Sequence, residues 1–102
     1  MKTKLLQIYV DETDQWEDMP LYEAIVRRLG QLEAAGATVE HGIMGFGSHH
    51  SVHRKRLFGS YDDRPIIISV ADTEEKILSL VPVVKAMVPE GLILILDAER
   101  IL

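Results

Sequence analysis

Two stretches with helical spacing of apolar residues are each bracketed by stretches with strand patterning, and this order within 102 residues leaves few ways to close a core. Residues 4–10 alternate, with Leu6, Ile8 and Val10 on one face and Leu5, Gln7 and Tyr9 on the other. Pro20 suits a first helical turn, and Leu21, Ile25, Leu29 and Leu32 then recur at helical spacing. Gly30 weakens this helix slightly, and Gly36 is a natural left-handed stop. Residues 38–44 predict a second strand, with Val39 and Ile43 at even spacing. Pro65 opens a third over residues 66–71, rich in β-branched side chains. Residues 72–75 have the form of a capping box, with Asp72 as the acceptor and Glu75 three places on. Ile77, Leu80, Val81, Val84 and Val88 make a second helical stripe, in which Pro82 predicts a kink or a split. After a turn at Pro89, Glu90 and Gly91, residues 92–96 predict a fourth strand running on toward Ile101.

Right-handed crossovers turn the order strand, helix, strand, strand, helix, strand into an α+β, ferredoxin-like βαββαβ sandwich. Four antiparallel strands form its sheet and two helices cover one face. Residues 1–102 read as one domain, the length leaving no room for a second core. The third and fourth strands are apolar on both faces, whereas an antiparallel sheet with one wet face should alternate. The uncovered face therefore predicts burial against another subunit, the other reading being that the ends of the last strand curl over it.

Composition removes several classes. At 47% hydrophobic the chain has enough apolar side chain to offset the entropy of ordering. The absence of cysteine excludes disulfides, thiolate metal sites and a cysteine nucleophile. A net charge of −5 argues against a dedicated nucleic-acid binder. No apolar run is long enough to insert in a membrane, and the start lacks the features of a signal peptide, so a cytoplasmic protein is expected.

The charge is unevenly spread. Gly42, Gly45 and Gly47 end the second strand, Arg54, Lys55 and Arg56 follow, and no acid lies between Glu40 and Asp62. Glycines let backbone amides approach an anion, and the basic island suits a nucleotide phosphate. A solvated loop whose charges aid solubility is the other reading. The segment is not a Walker loop and does not open a helix as a dinucleotide fingerprint does. His49, His50 and His53 lie in the same loop; in a helical turn His49 and His53 would share a face, as metal ligands do. The loop holds no carboxylate to complete such a site, and its cations repel a metal ion. His41 reads as a partly buried core residue. The acids Asp11, Glu12, Asp14, Glu17 and Asp18 lack the spacing of a calcium loop and read as helix-capping and solvating groups, with Trp16 as a packing anchor. No catalytic constellation stands out: Ser48, Ser51 and Ser60 lie near histidines without an oxyanion scaffold, and Tyr61 receives no role.

Several words of the sequence are shared with a family. They are residues 5–9 (LLQIY), 20–25 (PLYEAI), 35–39 (AGATV), 41–47 (HGIMGFG) and 72–77 (DTEEKI). On these the chain resembles, over nearly its whole length, the PII-like family catalogued as domain-of-unknown-function family 190. The chain lacks a persuasive acid–base pair or nucleophile in a rigid setting, so no enzyme and no required cofactor are expected. The resemblance implies a ferredoxin-like homotrimer. It also implies a site for an adenine nucleotide (ADP, AMP or ATP) in the cleft between subunits. Residues 47–63 lie where PII proteins carry a flexible loop that reshapes on ligand binding and docks to a protein target, such as a transporter or an enzyme. By position Gly45 and Gly47, with Phe46 between them, match the loop base that meets phosphates, and Pro89 and Gly91 belong to the turn that wraps them. That turn lacks the glycine-rich word and lysine of PII proteins, so Arg54, Lys55, Arg56 or Arg100 would supply the charge. Ile8 or Val70 would line the base pocket. The alternatives are a metal-binding trimer using His49, His50 and His53, and an interaction module for a membrane transporter with no small ligand.

Overall fold

The computed structural model describes residues 2–47 and 64–102. Its elements in chain order are β1 (Thr3–Asp11), β2 (Gln15–Trp16), β3 (Met19–Pro20), α1 (Leu21–Gln31), β4 (Thr38–His41), β5 (Pro65–Thr73), α2 (Glu74–Met87) and β6 (Leu92–Ala98). Among the described residues β4, β5, β1 and β6 form one antiparallel sheet in that order, with β1 between β5 and β6. Both helices bury their apolar stripes on the same face. This is the ferredoxin-like α+β arrangement that the element order predicts.

Register explains which face is covered. Leu6 lies opposite Val70 and Ile95, and Ile8 opposite Ile68 and Ile93. Leu6, Ile8, Val10, Ile66, Ile68 and Val70 therefore share a face, and all are buried. Leu21, Ala24, Ile25 and Leu29 from α1 and Ile77, Leu80, Val84 and Met87 from α2 complete that core. Each large side chain fully buried there contributes about 1.5–3 kcal/mol. The opposite face carries Leu5, Tyr9, Ile67, Leu92, Leu94 and Leu96. Leu92, Leu94 and Leu96 stay 50%, 38% and 41% exposed, so the second apolar face expected from the sequence is present and uncovered in the single chain.

Local chemistry departs from expectation at several points. The acidic connection folds as a small hairpin, Trp16 opposite Met19, with Glu17 left-handed at φ 56° in its turn. Its acids do not cap α1 through their side chains. The cap position is Pro20, and the first-turn amide of Leu21 is met instead by the backbone carbonyl of Asp14 at 2.8 Å. Asp11 and Asp14 lock the turn: Asp11 Oδ1 accepts from Thr13 N and Oγ1 at 2.9 and 2.6 Å, and Asp14 Oδ2 accepts from Asp11 N at 2.9 Å. Trp16 packs against the core.

The left-handed stop of α1 is Glu33, at φ 63°, rather than Gly36. Ala34 N donates to Leu29 O and Glu33 N to Gly30 O, the paired bonds of a Schellman motif. At α2 the cap is Thr73, whose hydroxyl accepts from Lys76 N at 3.2 Å. Asp72 is drawn away to accept from Ala35 N at 2.9 Å, which ties the α1–β4 connection to β5. Pro82 does not split α2. It and Leu78, whose carbonyl loses its helical donor, are both exposed, so water can satisfy that carbonyl. Finally, β4 ends at His41, and Ile43 is 97% exposed, because this strand lies at the sheet edge outside the buried cluster.

Candidate ligand site

Antiparallel pairing gathers one end of four strands. There β1 and β4 finish, at Asp11 and His41, and β5 and β6 begin, at Pro65 and Leu92. The glycine word of residues 42–47, Arg64, and the turn of Pro89, Glu90 and Gly91 all attach at that end. Two of its glycines answer to packing. Gly42 N donates to Pro65 O at 2.8 Å, and a Cβ on Gly42 would lie 2.6 Å from Pro65 Cγ. A Cβ on Gly91 would lie 2.5 Å from the carbonyl oxygen of Tyr9. The other two do not: a Cβ on Gly45 would make only ordinary contact with the Pro65 ring, and one on Gly47 meets nothing within 4 Å. Side-chain crowding therefore does not account for glycine at 45 and 47. Met44 and Phe46 stand 74% and 68% exposed beside them.

Acidic and basic side chains frame this end. Glu12 Oε2 lies 3.4 Å from His41 Nε2, and Glu12 Oε1 lies 3.6 Å from Arg64 Nε. His41 is thus an exposed edge residue with an acidic partner, not a core histidine. On the helix side, Pro89 and Gly91 line a groove of about 440 Å³ between α2 and β6, with Lys85, Val81 and Ile93.

The opposite end of the sheet carries a second groove of about 490 Å³ on the open face. Thr3, Thr38 and Ser69 supply hydroxyls to it, Leu5 and Ala71 an apolar floor, and Arg100 a guanidinium. Arg100 Nε donates to Leu102 O at 2.8 Å. The length of β6 separates Arg100 from Gly91, about 20 Å for a seven-residue strand. On the helix side of this end, Lys4 Nζ bonds Asp97 Oδ1 at 2.5 Å and lies 3.5 Å from Glu74 Oε2. The bond to Asp97 raises the Lys4 ammonium above its ordinary pKa, and Lys4 holds the Asp97 carboxyl below its own.

A family model described as "Uncharacterized ACR", DUF190, matches residues 3–100. This chain belongs to the DUF190 family. A UPF0166 protein of Aquifex aeolicus (strain VF5) is 32% identical over 101 residues, covering 99% of this chain and 95% of the relative. A UPF0166 protein of Methanocaldococcus jannaschii is 35% identical over 100 residues, covering 97% and 92%. Among solved structures, CPII bound to ADP, AMP and acetate, from Thiomonas intermedia K12, matches with a TM-score of 0.65 at 20% identity, over 97% of this chain and 90% of that one. The divalent cation tolerance protein CutA1 of Thermus thermophilus matches with a TM-score of 0.58 at 20% identity, over 96% and 84%. At that identity these likenesses concern the fold.

The DUF190 fold sorts the residues singled out from the sequence. Gly45, Phe46, Gly47, Pro89 and Gly91 come to one end of the sheet. Arg100 goes to the other. Ile8 and Val70 are corrected: they are 0% and 1% exposed beneath the helices, because their strand positions share the face of Leu6, and they offer a ligand no surface. Arg54, Lys55 and Arg56, and the candidate metal ligands His49, His50 and His53, lie outside the described residues. Among the described residues no group of three or more histidines and acids could hold a metal ion, and no helix is long and apolar enough to cross a membrane. Sequence reasoning missed Arg64, His41 and Lys85 as basic side chains of the glycine end. Arg64 alone carried a legible signal, since it directly precedes the proline that opens β5.

Proposed function

We propose that this DUF190 chain is a regulatory subunit, not an enzyme, that binds an adenine nucleotide between copies of itself in a homotrimer. One observation carries the reading. The two halves of the candidate site, the glycine end and the Arg100 groove, lie at opposite ends of one sheet whose apolar face is exposed. Within a chain they cannot meet. In this reading copies pack head to tail through that face, so that the glycine end of one meets the Arg100 groove of the next, and a closed ring repeats the same seam. The nucleotide phosphates lie on the amides of Gly45 and Gly47 and the turn of Pro89 and Gly91. Arg100 of the neighbouring copy meets them, with Arg54 and Arg56 adding charge. Residues 47–63 couple occupancy to the docking of a protein target. The ADP and AMP named for the CPII structures of the same fold support this ligand class.

Calorimetric titration with ADP, ATP and AMP, paired with sedimentation analysis, tests the proposal. The expected result is a particle of three times the 11.5 kDa chain mass with saturable heat from at least one nucleotide. A lone-chain mass at micromolar concentration, or no heat at millimolar nucleotide, would overturn it. Steady release of ADP from ATP above background would overturn its non-catalytic part.

A further inference from the structure

Glu12 sits in the turn after β1 on a fixed backbone. Its amide donates to Arg64 O at 3.0 Å, and the neighbouring bonds of Asp11 to Thr13 and Asp14 hold the turn. Its side chain reaches the last residue of β4 and the residue just before β5 together. These are His41 and Arg64, the two stems from which the stretch containing Gly45 and Gly47 leaves and returns. Both contacts, at 3.4 and 3.6 Å, are longer than the roughly 2.7–2.9 Å of a strong charge-assisted hydrogen bond. All three side chains are a third to a half exposed, which makes such pairs weak. The nearby acids are committed elsewhere: Asp11 and Asp14 to their turn, and Glu40 to the opposite face of β4.

A guanidinium and an imidazole converging on two carboxylate oxygens form the same donor set that a phosphate would take, and a phosphate offers more charge and a better match to the guanidinium fork. We propose that Glu12 is a built-in competitor for the ligand phosphate: its carboxylate occupies Arg64 and His41, and the arriving phosphate displaces it. The inference rests on the nucleotide reading above and deepens it. It adds Arg64 and His41 to the phosphate-holding residues and makes Glu12 the group that sets the affinity threshold.

The test is calorimetry of the full chain with ADP and with inorganic pyrophosphate. Glu12→Gln removes the competing charge, and Glu12→Asp keeps the charge but withdraws it from reach. Both are expected to tighten binding about two- to fivefold, the range of an exposed ion pair. Arg64→Gln is expected to weaken it about tenfold. Matching urea midpoints for wild type and variants show that the fold is kept, and either Glu12 variant alone suffices if the other fails to fold. Binding by Glu12→Gln or Glu12→Asp that equals or falls below wild type would overturn the proposal while leaving the nucleotide reading intact. Wild type that binds no adenine nucleotide would bring down both.

Discussion

Gly91 presses against the backbone of Tyr9: a Cβ added to it would lie 2.5 Å from the Tyr9 carbonyl oxygen and 2.9 Å from Cγ1 of Val88. The turn from α2 into β6 thus closes directly on β1, and the Tyr9 backbone cannot swing aside to admit a methyl group. Gly91→Ala is expected to destabilise the protein by about 1–3 kcal/mol, seen as a lower urea midpoint. Gly47→Ala, whose Cβ meets nothing within 4 Å, should unfold at the wild-type midpoint while weakening nucleotide binding. Equal midpoints for Gly91→Ala and wild type would show that the turn yields.

The end of α1 offers an opposite change. Glu33 holds φ 63° without the freedom of glycine, whereas Gly36 stands in open space. Glu33→Gly is expected to stabilise by about 0.5–1 kcal/mol through relief of left-handed strain. Gly36→Ala should do so by about 0.4–1 kcal/mol through a less flexible unfolded chain. Thermal midpoints check both, and a fall for Glu33→Gly would refute the Schellman assignment.

The Lys4–Asp97 contact predicts a pH window. Asp97 is held below its ordinary pKa, so its contribution is complete above the usual carboxylate value near 4 and is lost as pH falls through the lowered one. Lys4 is raised above its ordinary pKa, so its contribution is complete below about 10.4 and is lost as pH rises through the raised value. The stability difference between wild type and Asp97→Asn should therefore be level from about pH 5 to 9 and shrink on both sides. A difference that instead changes through neutral pH would assign the effect to other groups.

The open sheet face is expected to hold the copies together. Leu94→Lys places a charge in its midst and should give single 11.5 kDa particles in sedimentation. Leu78→Lys, on the solvent side of α2 and 54% exposed, should leave the particle mass unchanged. Dissociation by Leu78→Lys but not by Leu94→Lys would move the interface to the helices.

How far the sequence could be read divides by the reach of the interaction. Leu6, Ile8 and Val10 announce a strand face, and Leu21, Ile25 and Leu29 a helix stripe, because periodicity depends on neighbours along the chain. The same local rule missed what competition decides. Asp72 looks like a cap, but Ala35 N, distant in sequence, takes its carboxylate, and Thr73 caps α2 in its place. Pro82 looks like a breaker, but it falls where water can meet the freed carbonyl.

The sequence by itself determined the element types and their order, hence the sandwich, and the existence of a second apolar face. These follow from side-chain periodicity and from the handedness of crossovers. Tertiary structure alone decided that Ile8 and Val70 lie inside and that Gly91 exists for Tyr9. It also set Arg100 a strand's length from Gly91 and brought Glu12 between His41 and Arg64. Each of these turns on register and on contact between residues far apart in the chain, which no local pattern encodes.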